Sequence, residues 1–548
     1  MRALAFRGAV VHSLALGKLE VLEDVVITVD AGGRIVDFID LTSPQTGGSA
    51  DAAQRNRMVA AMVAQWKQQA SSVSKFEFEF VDLSASGKLL VPGFVDAHAH
   101  APQYAFVGTG MDMPLLQWLE TYTFPCESKF SDTAHARHVY GKAVRRSLSY
   151  GTTFSSWFAT IHLDASKALV DIVRAHGQRA HVGKVSMDRN SPEFYIEKDT
   201  QEGLREVEEF VEYVQSTNHE ESADDGSGAE PLVTPAIIPR FVPSCTSDMM
   251  HGLGKISRTR GGKKAAAAAA AAATTTKEVA AASKADAAAA TSATAASSSS
   301  SSSSSLLPVH SHLSESPAEI SWVKDLHPDC ATYADVYESH GLLHERSYMA
   351  HCCHCCPTER AVVKNAGCGM VHCPSSNFML KSGVMDVRTA LNEGVKVALG
   401  SDIAGGYSSS ILDAMRQAII ASRVSSFNPP KDDAGAGQLS GGSEYLPLTC
   451  AEAFHLATVG GAQVLGMGDS LGNFRPGKRF DALVVDPAAA GGPIDLFGGE
   501  TTLERFEKFL FLGDDRNIEQ VFVDGARVVS RSPEGLPSWP LAEGGRRR

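Results

Sequence analysis

Between residue 91 and about residue 468, eight short apolar runs alternate with amphipathic helical segments, and this alternation restricts the fold more than any other feature of the chain. The runs are residues 91–98, 152–158, 178–187, 232–241, 306–313, 347–352, 368–373 and 395–400. Strands separated by helices pair in parallel, because each return crossing needs a helix, and eight such units close a (β/α)8 TIM-like barrel. The helices carry clear end signals. Residues 132–150 place Ala136, Val139, Tyr140, Ala143 and Val144 at helical spacing and stop at Gly151, and residues 164–176 stop at Gly177. Reacting groups in such a barrel sit at the C-terminal ends of the strands or just past them.

Both chain ends read differently, as short strands joined by turns: residues 9–13, 19–29 and 34–39 at the start, 481–485 and 521–529 at the end. Strand sets that cannot bury a face alone pair with each other, so residues 1–88 and 470–548 are expected to form one small β-sandwich domain beside a barrel of residues 89–469. Residues 43–69 read as a polar loop and helix insertion. Residues 261–305 are alanine, threonine and serine without apolar periodicity, a composition that builds no core and is expected to be disordered. This insert falls between the helix after strand four and strand five, on the barrel face away from the strand C-termini.

Composition narrows the functional classes. The net charge of −13, with short basic runs only at residues 258–264 and 546–548, argues against a nucleic-acid partner. No apolar stretch is long enough to span a membrane. The ten cysteines lack the spacing of a disulfide framework, which fits a reducing, cytoplasmic setting. Cys352, Cys353, Cys355 and Cys356, crowded around His354, lack zinc-finger spacing and read as packing thiols.

The strand ends carry the chemistry. Strand one ends in Val-Asp-Ala-His-Ala-His, with His98 and His100 on one face; a His-x-His pair alone is weak evidence, because one buried histidine is usually hydrogen-bonded core. Strand five ends at His312, followed by Glu315; strand six ends at His351 and strand eight at Asp402. His98, His100, His312 and Asp402 together make three imidazoles and a carboxylate, a set suited to zinc or iron with a position left for water. A metal there activates water, and Glu315 is placed to move its proton to a leaving amine. Asp402 can share that proton while ligating. His351 either orients the attacking oxygen and steadies the oxyanion or is a fifth ligand.

The HxH, HLSE, AHC and SDIAGG elements, in that order, resemble the amidohydrolase superfamily. Within it, the stretches HAHAPQY, DMPLLQWL, YTFP, VGKV, PRF, GGYS and FLGDDRN resemble the enzymes that deaminate guanine. The resemblance implies hydrolysis of guanine by water to xanthine and ammonia, one zinc ion per chain on His98, His100, His312 and Asp402, and a homodimer. It also implies a substrate site formed by His100, Gln103, Arg240, Phe241, His312, Glu315 and Asp402. A two-metal relative would need a lysine at the end of strand four, where this chain has Arg240; Lys184 lies on strand three. The rival reading is a related amidohydrolase that deaminates or dechlorinates another purine, a pyrimidine or a triazine.

Overall fold

The computed structural model describes residues 2–43, 51–72, 77–225, 231–261, 306–427, 445–532 and 535–540. The barrel is built as two four-stranded parallel sheets. One holds Phe94–His100, Thr152–Phe158, Arg179–Gly183 and Val233–Pro235; the other holds Val309–Leu313, Ser347–His351, Gly369–His372 and Lys396–Leu399. Two seams join them. At the first, Ile237 bridges Val309, with the His310 N–H donating to the Ile237 carbonyl at 3.0 Å. At the second, the Asp402 N–H donates to the His98 carbonyl at 2.9 Å and the His100 N–H to the Ile403 carbonyl at 3.1 Å. The eight strands thus follow one another around a ring in chain order, as the alternating pattern requires.

The pairing of Phe94–His100 with Thr152–Phe158 slips between Asp96 and Ala99, so the strand does not alternate regularly. Val95 and Ala97 pack in a core with Phe154, Tyr348, Val371 and Ala398 of other strands and with Ala462 and Val464, while His98 and His100 lie against the Phe158 ring. Asp96 closes the second seam: Ser401 donates to it through its hydroxyl at 2.5 Å and its N–H at 3.0 Å. The helix read from residue 132 runs Thr133–Ser149, with the Asp132 carboxylate accepting from the Ala134 N–H at 2.8 Å as its N-cap.

The first strand of the sequence reading divides in two. Leu89–Pro92 pairs with the terminal strands Arg2–Ala15 and Ala482–Val485, and only Phe94–His100 belongs to the barrel. Gly93 is the break. Its N–H donates to the Asp481 carbonyl, and a Cβ there would sit 2.2 Å from the Thr153 hydroxyl oxygen, so no other residue fits the crossing.

The two chain ends do combine, but in one nine-stranded sheet and not in two facing sheets. Its edge strand Ile35–Asp40 is tied back by the Ile35 N–H to the Lys478 carbonyl at 2.8 Å. The sheet therefore curls around its own core, where Phe6 stacks on Phe480 and meets Phe522 edge-on. A curled sheet buries one face as a sandwich does, which is why strand patterning alone does not separate the two. In the insertion near the N-terminus, the helix Ala52–Ser72 covers this sheet through Val59 against Val26 and Leu41. Almost all of the low-complexity insert, residues 262–305, lies outside the described residues, as does the basic run at 546–548; the helix of residues 247–261 leads into the insert, and Leu306 follows it.

Candidate active site

His98, His100, His312, His351 and Asp402 come from four strand ends and meet at one end of the barrel. His98 Nε2 lies 3.1 Å from Asp402 Oδ1, and His100 Nε2 lies 3.4 Å from the same oxygen. The two imidazole nitrogens face each other at 3.3 Å. His98, His312 and His351 form a second trio around the same point, with ligand atoms within 4.8 Å of one another. The second seam produces this geometry, because the backbone bonds from Asp402 to His98 and from Ile403 to His100 hold the eighth strand end against the first.

Each ring is oriented by the bond its other nitrogen makes. His312 Nδ1 lies 2.6 Å from the Arg240 carbonyl, which can only accept, so Nδ1 carries the proton and Nε2 offers its lone pair to the site. His351 Nδ1 is held by Asn377 Oδ1 at 2.8 Å, and His98 Nδ1 by His310 Nε2 at 2.8 Å. Such outer partners are what ligating histidines require. His100 Nδ1 is buried and, among the described residues, has no hydrogen-bond partner. Burial pushes all three of His98, His100 and His312 below the usual imidazole range, so they are neutral and competent as ligands. Burial also pushes Asp402 up, but the His98 hydrogen bond and the pull of His98, His351 and His100 when they carry a proton more than offset this. Neutral imidazoles converging on a buried carboxylate fit a zinc or iron ion.

Backbone strain gathers at the same strand ends. Ser314, His351, Cys352 and Asp402 have φ of +47°, +71°, +49° and +44°, a region that costs a non-glycine residue about 1–3 kcal/mol and persists only where the surroundings enforce it.

A cavity opens onto the cluster. His100, Gln103, Arg240, Phe241, His312, Glu315, His351 and Asp402 all line it, so every site residue drawn from the sequence except His98, buried behind it, faces one space.

The amidohydrolase family profile matches residues 89–299 and 281–528. The chain belongs to the amidohydrolase family. It is 38% identical to guanine deaminase of Dictyostelium discoideum, over 95% of this chain and 97% of that protein. Against guanine deaminase of Homo sapiens the identity is 36%, covering 96% of each. Among solved structures, guanine deaminase from C. acetobutylicum with bound guanine in the active site superposes with a TM-score of 0.72 at 31% identity, covering 96% of this chain and 99% of that one.

In this amidohydrolase Glu315 is buried beside the cluster, its Oε2 3.4 Å from His351 Nε2 and its Oε1 accepting from the Ser382 hydroxyl at 2.7 Å. Burial pushes its carboxyl up, against the pull of His351. Lys184 is paired with Glu197 at 2.6 Å and Glu206 at 3.3 Å, away from the cluster. All ten cysteines are free; Cys352 is buried and Cys356 exposed.

The sequence reading missed several lining groups. Leu115, Trp118 and Leu119 give the cavity an apolar wall with Leu380, held in place by the Leu115 N–H donating to the Leu380 carbonyl at 3.2 Å. Glu319, also lining it, sits in the first turn of the helix Pro317–Leu326 that follows Glu315, and its Oε2 accepts from the Glu315 N–H at 3.1 Å. Glu127 is fully buried beneath the wall, and no pattern around it marks it.

Proposed function

We propose that this amidohydrolase is a guanine deaminase: it hydrolyses guanine with water to xanthine and ammonia. The observation that carries the reading is that one cavity joins the His/Asp402 cluster to a wall of N–H donors from Arg240 and Gln103. Guanine carries an amine at C2, which must meet the activated water, and a carbonyl at C6, which needs a donor. Arg240 has no acceptor to offer, and Gln103 Oε1 is already occupied by the Ala404 N–H at 3.1 Å. The sequence reading left Gln103 free to donate or accept; with one amide N–H given to Glu127, the second supports a donor role toward the ring. The apolar wall of Leu115, Trp118, Leu119 and Phe241 covers the flat ring.

We assign one zinc ion per chain to His98, His100, His312 and Asp402, on the strength of the converging ring nitrogens and the buried carboxylate. When bound, it supplies Lewis-acid activation of water at neutral pH. Glu315 takes one proton of the attacking water and places it on ring N3, and Asp402 takes the second from the oxygen now bonded to C2 and passes it to the leaving amine, so the C2–N bond breaks to give ammonia and the two water protons end as the N3–H of xanthine and the third N–H of ammonia. His351, held by Asn377 and facing Glu315 and Asp402, donates to the oxygen on which negative charge develops. The homodimer and cytoplasmic location implied by the family resemblance belong to the same proposal; among the described residues no helix is long and apolar enough to cross a membrane.

The test is ammonia release by the purified protein from guanine, adenine and an amino-triazine in parallel. Guanine turnover far above the other two is expected; equal or better turnover of another heterocycle supports the rival reading.

A further inference from the structure

Beneath the recognition wall lies a buried carboxylate that the reaction itself does not use. Glu127 is inaccessible to solvent, on the short helix Phe124–Glu127. Its Oε2 accepts from Arg240 Nη1 at 2.5 Å and its Oε1 from Arg240 Nη2 at 3.2 Å. The same Oε1 accepts from Gln103 Nε2 at 3.0 Å. The Tyr195 hydroxyl also bonds to it. Glu127 therefore holds both polar groups of the wall from behind.

A buried ion pair is weak evidence for stability, since desolvating both charges can cost as much as their attraction returns. Holding two side chains in one orientation is a different matter. Gln103 could flip its amide, were it not for the Ala404 N–H on its oxygen and Glu127 on its nitrogen; both ends are specified, so the amide proton left over is the group it can present. The guanidinium is fixed in plane by the fork on Glu127 and by Phe124, whose ring centroid lies 5.2 Å from Cζ. We propose that Glu127 is the specificity-positioning residue of this site, locking Arg240 and Gln103 as a donor-only wall that selects purines with a carbonyl over purines with an amine at the ring position facing it. The inference rests on the guanine deaminase reading and deepens it.

The substitution Glu127→Gln keeps the shape and makes the prediction sharp. Wherever the new amide places its NH2, it sets donors against an N–H of Arg240, of Gln103 or of both, so the wall can no longer hold one polarity. The probe is 2,6-diaminopurine, which keeps the reacting C2 amine and replaces the C6 carbonyl with an amine. The measured quantity is the ratio of kcat/KM for guanine to kcat/KM for 2,6-diaminopurine, in the metal-loaded full chain. That ratio is insensitive to the fraction of molecules correctly folded, so a purely structural role for Glu127 would leave it where it was. In Glu127→Gln it is expected to fall by about tenfold or more, with guanine KM rising more than kcat falls, because contacts to the far edge of the ring bind ground and transition states alike. A ratio within about threefold of the unaltered protein overturns the inference. Should Glu127→Gln fail to fold, Glu127→Asp keeps the charge but cannot reach both partners; an intermediate fall in the ratio supports the proposal, and an unchanged ratio overturns it. Unaltered protein that releases no ammonia from guanine overturns the functional reading, and this inference with it, whereas an active protein with an unmoved ratio overturns this inference alone.

Discussion

Two buried polar clusters lie side by side at the mouth of the barrel, and they are finished to different degrees. In the first, Arg240, Glu127 and Gln103 satisfy one another: a cation meets an anion through two bonds and an amide completes the set. In the second, the rings of His98, His100 and His312 converge on the Asp402 carboxylate, with 3.3 Å between two imidazole nitrogens, and His351 faces both Asp402 and Glu315, which favour its proton. A self-satisfied cluster orients; a cluster of converging acceptors is built to be completed by something positive. On the proposed reading, the first holds the ring and the second activates the water.

The largest effect should come from breaking the converging cluster. His312→Ala removes one of the four residues assigned to the metal, and turnover is expected to fall by about four orders of magnitude or more with loss of the bound metal. Metal analysis of the purified variant checks this, and full metal content would take His312 out of the ligand set. Two tightly held ions per chain in the unaltered protein would break the single-metal assignment.

Glu315→Gln separates proton transfer from metal binding. Metal should stay, while kcat falls by about two to four orders of magnitude. The pH profile adds a sign. Glu315 must start ionised to take the water proton, and burial raises its carboxyl, so kcat/KM should decline as pH drops through a value above the ordinary glutamate range. Removing the carboxyl should remove that acidic limb. A limb unchanged in the variant would assign it to another group.

Breaking the self-satisfied cluster should cost less. Arg240→Met leaves Glu127 with only Gln103 and Tyr195, and guanine kcat/KM should fall by about two to three orders of magnitude with the metal retained. Steady-state kinetics beside metal analysis reads both. An unchanged rate would mean that Arg240 only braces the barrel rim through Glu127.

The smallest effect is expected far from both clusters. Replacing residues 262–305 with a short Gly/Ser turn joins the helix of residues 247–261 to Leu306, at the barrel face opposite the site, and kcat/KM should stay within about twofold. A larger loss in a folded, metal-loaded protein would place the insert near the site after all.

Much of this molecule is determined by its sequence alone. The eight strands, their parallel order and the residues at their ends follow from the alternation of apolar runs with capped helices, because periodicity and end signals are local properties that packing rarely overrules in long patterned segments. The histidines and Asp402 are legible for the same reason: a strand end is a fixed address in a barrel. Tertiary structure alone decided the rest. The division of the first strand at Gly93 depends on where Asp481 and Thr153 lie, and the curling of the terminal sheet depends on Ile35 meeting Lys478. Glu127 was invisible for a related reason. Its role comes from partners 24 and 113 residues away, and no local pattern records a contact made across the fold.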